Sequence, residues 1–293
     1  MKSWKQGIVL LLAGLLLLPG GMLPRKAWAG APAAASFRAA LSPRMQKIGR
    51  IIREAGPCQV YFTDLTTNQS IYLGSSTLPS ASMIKVFILA KAYEDLQAGS
   101  LSRKETFTLT PENVVGGAGV LQGRPYGTKV PLQEVLDLMI TESDNTAANL
   151  LIDRLGMDRI NTYMQNHGYS HSVLRRKMMD TEAMGEGREN LTSTRYIALL
   201  FKRLYRGKCV GPVQDREMLA IYKRQTDNDS IPGDLPQGTV VAHKTGEVSD
   251  VRHDGGIVYT PKGAYVLVIF TRNYTPYETM AGLSERIYQA FVE

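Results

Sequence analysis

Three short segments carry the residue types that acyl transfer requires. Ser82 and Lys85 stand three residues apart, just before the apolar run Val86-Phe87-Ile88-Leu89-Ala90. On a helix that spacing puts both side chains on one face, about 5–6 Å apart at Cβ. A lysine removed from water has a depressed pKa and can take a proton from a neighbouring hydroxyl. A helix N-terminus also offers free backbone N–H groups that can stabilise an oxyanion. The second segment is Ser143-Asp144-Asn145, and the third is Lys244-Thr245-Gly246. Each has a plainer reading when taken alone. Ser82 suits an N-cap before a surface lysine, the second segment a cap for a helix starting at Thr146, and the third a strand end with a turn. Together, in this order, they provide a nucleophile, a base, a proton route to a leaving nitrogen and a clamp for an anionic substrate. Ser82, Lys85, Ser143 and Lys244 can fill these roles.

The flanking sequence must position them. Phe37–Ala55 has a helical apolar period and is stopped by Gly56-Pro57. Gln59–Asp64 and Ser70–Gly74 read as a hairpin around Thr66–Gln69. The Ser82 helix should run to about Ala98, followed by a Gly-, Thr- and Pro-rich surface stretch over Gly99–Thr128. Helices are predicted from Pro131 to Thr141 and over Thr146–Leu155, Asp158–Gly168, Thr192–Tyr205 and Val213–Arg224. Leu174–Glu189 reads as an ordered loop. Three strands follow at Val240–Lys244, Asp254–Tyr259 and Ala264–Arg272, and a helix from Tyr277 to Phe291 closes the chain. Strands at both ends of a helical middle imply an antiparallel sheet with terminal helices on its faces and an inserted helical lobe.

Composition bounds the function. The chain has 293 residues, 44% hydrophobic and 21% charged, which is ordinary for a globular protein. Lys2 and Lys5 precede the apolar run Ile8–Leu18, and Ala27-Trp28-Ala29 follows as a cleavage pattern. Residues 1–29 therefore read as a secretory signal and residues 30–36 as a linker, leaving one domain over 37–293. The expected location is secreted or periplasmic, with membrane tethering if the signal stays attached. Losing Lys2, Lys5, Arg25 and Lys26 takes the formal charge from +7 to +3. No basic block argues for nucleic acid; Arg175-Arg176-Lys177 is too short. The four histidines and two cysteines show no metal-ligand spacing, and Cys58 reads as a buried free thiol. No cofactor or metal is expected.

Pro79–Lys85, the run Ser143-Asp144-Asn145-Thr146-Ala147-Ala148-Asn149, and Lys244-Thr245-Gly246 resemble the motifs of the penicillin-recognising serine hydrolases, most closely the class A β-lactamases. The resemblance runs from about Phe37 to Glu293. It implies an α/β (α+β) fold of the β-lactamase/transpeptidase type. Five antiparallel strands would be flanked by helices, with an α/β lobe at about 37–80 and 225–293 and a helical lobe at about 81–224. By the same resemblance Ser82 is acylated, Lys85 accepts its proton and Ser143 relays a proton to the β-lactam nitrogen. Asn145 holds the acyl-amide side chain and supports Lys85, while Asp144 is structural. Lys244, Thr245 and Gly246 receive the substrate carboxylate, and the backbone N–H groups of Ser82 and Glu247 form the oxyanion hole.

The departures from that family bear on turnover. The family hydrolyses its acyl-enzyme with a loop glutamate, paired with an asparagine four residues later. Matching through Val173 places Asp180 at the glutamate and Met184 at the asparagine, with Glu182 and Glu186 as neighbouring carboxylates. Arg188-Glu189-Asn190 replaces the family's usual Arg-Asp type latch on this loop. Glu247 puts an acid beside the anion site, and Arg252 is either a replacement carboxylate anchor or a surface arginine. The leading expectation is a monomeric serine hydrolase that opens β-lactams and deacylates slowly. The alternatives are a penicillin-sensitive peptidase or amide hydrolase acting on cell-wall-derived peptides or other amides, and a penicillin-binding or sensory module without turnover.

Overall fold

The computed structural model describes residues 41–248, 250–273 and 275–293. The expected signal and linker, and Phe37 at the start of the first predicted helix, lie outside them. In chain order the elements are α1 (Pro43–Arg53), β1 (Gln59–Asp64), β2 (Ser70–Leu73), β3 (Leu78–Pro79), a 3₁₀ turn (Ala81–Ile84), α2 (Lys85–Ala98), β4 (Thr106–Thr108), β5 (Lys129–Pro131), α3 (Leu132–Thr141), α4 (Asn145–Leu155), α5 (Met157–Asn166), α6 (Thr181–Gly185), β6 (Leu191–Thr192), α7 (Thr194–Tyr205), α8 (Pro212–Tyr222), β7 (Val241–Val248), β8 (Val251–Thr260), β9 (Gly263–Phe270) and α9 (Tyr277–Val292). A single-turn 3₁₀ helix at Leu121–Gly123 interrupts the long surface stretch.

The main sheet is antiparallel in the order β2-β1-β9-β8-β7, so the C-terminal hairpins form its centre and one edge. Val60, Phe62, Tyr265, Leu267 and Ile269 alternate along β1 and β9 and are buried against one helical layer. That layer is α1 and α9, which contribute Met45, Ile48 and Ile52, and Met280, Leu283, Ile287 and Phe291. α1 begins with Ser42 as N-cap, its Oγ accepting from Met45 N at 3.3 Å, and with Pro43 at its first position. On the opposite face Val266 and Val268 join a larger core with Ile197, Ala198 and Phe201 of α7. α7 thus packs on the sheet, although it falls inside the stretch expected to form the helical lobe.

α2 is buried on every side from Lys85 to Tyr93, as expected of a central helix surrounded by others. Around it α3, α4, α5 and α8 contribute Leu136, Met139, Leu151, Ile160 and Met218 to the same core. Each such fully buried side chain contributes roughly 1.5–3 kcal/mol. The hydrophobic collapse of the helical lobe therefore fixes where α2 starts, and with it where Ser82 stands. Gly99, in the left-handed region at φ 74°, ends the helix near the predicted boundary.

Candidate active site

Ser82 sits in the 3₁₀ turn, and Lys85 is the first residue of α2 proper. Lys85 is fully buried, with Nζ 3.0 Å from Ser82 Oγ, 2.5 Å from Ser143 O and 2.9 Å from Asn145 Oδ1. A neutral amine has two N–H groups and one lone pair. Two donors go to Ser143 O and Asn145 Oδ1, which leaves the lone pair facing the Ser82 hydroxyl. Burial pushes the Lys85 amine well below the ordinary lysine range; the neighbouring Lys244 charge pushes the same way, and Asp144 opposes them. Lys85 is thus arranged as a base toward Ser82.

Ser143 joins the two lysines. Its Oγ is 2.9 Å from Lys244 Nζ and 3.3 Å from Lys85 Nζ. It occupies a left-handed turn, at φ 52°, between α3 and α4. The next residue holds that turn in place. Asp144 caps α4 through Ala147 N at 2.9 Å, and its other oxygen accepts from Val120 N at 2.7 Å and Leu121 N at 2.8 Å. The structural role expected of Asp144 is the one observed. Asn145 donates to Gly116 O at 3.1 Å, where the surface stretch folds over the site. Gly117, at φ 81°, allows this approach, since a Cβ there would stand 2.7 Å from Asn145 Nδ2.

Lys244 reaches the same point from β7. It is fully buried and also donates to Thr245 O at 2.7 Å. Burial lowers its amine to about 8, while Asp227 and Asp254 act to hold its charge. Asp254 is itself buried on β8 opposite Thr245. It accepts from Ser230 Oγ at 2.5 Å and Ile231 N at 3.0 Å, and lies 2.9 Å from His243 Nδ1. Gly246 brings the edge strand against the reactive turn: a Cβ there would stand 3.0 Å from Met83 N and 3.1 Å from Ser82 N. Ser82, Asn145 and Glu247 line a common cavity of about 300 Å³.

The loop side of that cavity differs from the expectation. The residues of the 172–190 loop that face it are Arg176, Met178, Met179, Thr181, Met184 and Asn190. Asp180 is not among them. Its Oδ1 accepts from Ala183 N at 3.0 Å, so the side chain folds back as the N-cap of α6 and borders a neighbouring cleft with Glu112, Asp153 and Lys177. Glu182 and Glu186 are exposed, and Glu186 pairs with Arg188 at 2.5 Å. None of the three carboxylates lines the cavity that contains Ser82. Met178 lines the cavity in their stead. Asn149 of α4 clamps its backbone, receiving Met178 N at 2.8 Å and donating to Met178 O at 3.1 Å.

The latch on this loop is Arg176 to Glu189 at 2.8 Å. Asn190 reinforces it, its Oδ1 accepting from Arg175 N at 2.7 Å and Arg176 N at 3.1 Å. Arg252 is engaged by protein partners. It faces its cross-strand partner Glu247 at 3.2 Å, donates to Thr275 O at 3.3 Å and stacks over the Tyr277 ring at 4.6 Å. The acid at the cavity lip is therefore already compensated, with Tyr277 Oη donating to Glu247 Oε2 at 2.5 Å. Cys58 and Cys209 are both buried free thiols, and among the described residues no His, Cys, Asp and Glu group is arranged to hold a metal.

Met178, the Asn149 clamp and the Asp254 network are not foreseen from the sequence. Asn149 is the one with a signal, since it closes the Ser143–Asn149 run. The family profile described as "Beta-lactamase enzyme family" matches residues 42–291. A β-lactamase of Streptomyces albus G is 25% identical over 272 residues, covering 88% of this chain and 86% of the relative. The solved structure of PBP-A is 31% identical with a TM-score of 0.77, covering 86% of this chain and 97% of that one. A β-lactamase structure from Sphaerobacter thermophilus DSM 20745 is 26% identical with a TM-score of 0.76, covering 84% and 95%.

Proposed function

The chain belongs to the beta-lactamase enzyme family, and from that membership we propose that it opens the β-lactam amide through an acyl-enzyme on Ser82. Lys85 takes the Ser82 proton as Oγ adds to the ring carbonyl. The backbone N–H groups of Ser82 and Glu247 stabilise the oxyanion. Collapse of the tetrahedral adduct breaks the carbonyl–nitrogen bond. Ser143, bridging both lysines, passes a proton to the departing nitrogen. Lys244, with Thr245 and Gly246 beside it, receives the substrate carboxylate. The observation that carries this reading is the Lys85 amine, with two donors engaged and its remaining face toward Ser82 Oγ at 3.0 Å.

Water must then release the acyl group, and the loop residues that line the cavity, Met178, Met179 and Met184 with Arg176, Thr181 and Asn190, include no carboxylate. That supports acylation followed by slow hydrolysis. It also favours a second reading, a penicillin-sensitive hydrolase of cell-wall-derived peptides. A variant of PBP-A has been solved as an acyl-enzyme complex with penicillin G, which supports adduct formation on this fold. The resemblance of the three motif segments to class A supports placing the chain in that class. A secreted or periplasmic location after removal of residues 1–29, and a monomeric state, belong to the same proposal. Among the described residues no helix is long and apolar enough to cross a membrane.

Intact-protein mass followed over time with benzylpenicillin tests the proposal. The expected result is rapid gain of one penicillin mass, slow return to the free mass, and no gain in S82A. A mass unchanged by every β-lactam sinks it. Release of D-alanine from a peptide together with a persistent penicillin adduct selects the second reading.

A further inference from the structure

We infer that His253 is a positioning residue for the nucleophile: its Nε2–H holds the Pro79 carbonyl and so maintains the left-handed backbone at Ala81 that presents Ser82. This rests on the acyl-enzyme reading of Ser82.

Ala81 has φ 45°, a region an L-residue with a Cβ enters only under strain. Such a conformation persists only where the surroundings over-determine it, and here it immediately precedes the nucleophile. Several contacts meet on this turn. Ser80 N donates to Asn190 O at 2.7 Å, Met83 N donates to Ser80 O at 3.0 Å, and Gly246 abuts the backbone of Ser82 and Met83. Ser80 Oγ donates to Ala81 O at 3.1 Å, and a further anchor is a side chain from β8. His253 Nε2 lies 2.9 Å from Pro79 O, across 174 positions of sequence.

The imidazole is built to be a fixed donor. It is fully buried and stacks on the Phe270 ring at 3.9 Å with planes 12° apart. Its Nδ1 lies between Arg252 O at 2.7 Å and Thr271 N at 3.3 Å. Each ring nitrogen faces a carbonyl, and Thr271 N already donates to Arg252 O at 2.9 Å. A neutral ring donates to one carbonyl only, and in the inferred role that proton is on Nε2, toward Pro79. Burial lowers the ring to about 4, so it stays neutral at ordinary pH. His253 also pairs in register with Gly246, next to Lys244 and Thr245. One residue of the central hairpin therefore ties the reactive turn to the strand that holds the anion clamp.

The test compares benzylpenicillin acylation in wild type, H253F, H253Q, A81G and the A81G/H253F double. Phenylalanine keeps a ring on Phe270 and removes the donor; glutamine restores a donor near the Nε2 position. Glycine at 81 accepts positive φ without strain. Misplacement of a reacting group by about 1 Å can cost 100-fold. H253F is expected to acylate about 10- to 100-fold more slowly at saturating penicillin, with the apparent dissociation constant within about twofold of wild type. H253Q should recover most of the rate, and the double should acylate within about threefold of A81G alone. H253F acylating at the wild-type rate overturns the inference, as does a loss that neither H253Q nor A81G relieves. If H253F does not fold, the double decides. A double that folds and acylates like A81G supports the inference; one that acylates slowly or does not fold makes His253 merely structural. Failure of wild type to acylate would instead remove the reading on which the inference rests.

Discussion

The two walls of the cavity around Ser82 are built on opposite principles. The wall that would form the acyl-enzyme is polar and buried, and its side chains are each held by more than one partner. Lys85, Ser143, Asn145 and Lys244 come from three separate segments yet are linked by direct contacts of 3.3 Å or less. The wall that would release it is a surface loop, held by the Asn149 clamp and the Arg176–Glu189 latch, with three methionines among the residues facing the cavity. A polar cluster of the first kind is costly to leave half satisfied, so its members must stay together. A methionine wall imposes no such condition, because the thioether adapts to many shapes. Acylation is thus built into the core of this protein, whereas deacylation depends on what the loop happens to present.

The largest effects should come from breaking the first wall. K85A removes the base and also leaves Asn145 Oδ1 and Ser143 O without their donor. A fall in the acylation rate of at least about 10²–10⁴-fold is expected from the loss of the base, read by stopped-flow with a chromogenic cephalosporin. The second wall should respond in the other direction. M178E puts a carboxylate on the backbone position clamped by Asn149 and is expected to speed deacylation by about 10²-fold. Mass recovery after a penicillin pulse measures it. D180N keeps the N-cap, because asparagine caps as well as aspartate does, and should leave deacylation within about twofold. A strong loss of turnover in D180N would return that residue to the reactive site and erase the contrast.

The pH dependence sharpens the same comparison. On the proposed reading Lys244 needs its charge to hold a substrate carboxylate, and burial lowers its amine to about 8. A depressed lysine is charged below its pKa and neutral above it. Acylation efficiency should therefore fall as pH rises through about 8. In K244R the guanidinium stays charged, so the alkaline fall should disappear even if the rate is lower throughout. Rates of adduct formation between about pH 6 and about pH 10 would show it, a range that brackets the depressed amine and the ordinary lysine value.

How much of this was legible depended on whether the determining contacts were local. Ser82 and Lys85 could be placed together because one helical turn fixes their spacing. The five-stranded sheet followed from turn signals such as Pro261-Lys262-Gly263 between alternating runs. Loop 174–189 has no period to read, and a short helix, Thr181–Gly185, lies inside it. Counting from Val173 put Asp180 at the site, whereas Asn149, 29 residues upstream of Met178, sets which residue faces the cavity. That bond has no signature in either segment. The same holds for His253: its spacing excluded a metal site, but nothing local to residue 253 points to Pro79.

The smallest expected effect lies at the cavity lip, where Arg252 serves Glu247. That pair is solvent-accessible, with the two side chains 25% and 48% exposed, and such pairs contribute at most about 1 kcal/mol. If Arg252 only compensates Glu247, R252A should change the apparent dissociation constant for benzylpenicillin by less than about fivefold, which corresponds to that energy. Its acylation rate should not move, because Lys244 still holds the carboxylate. A substrate anchor would behave differently: losing a charged hydrogen bond to a carboxylate costs about 1.5–3 kcal/mol, or more than about tenfold in affinity. Benzylpenicillin methyl ester, which lacks the carboxylate charge, separates the cases further. R252A should affect acid and ester forms alike if the arginine serves Glu247, and weaken the acid form alone if it serves the substrate.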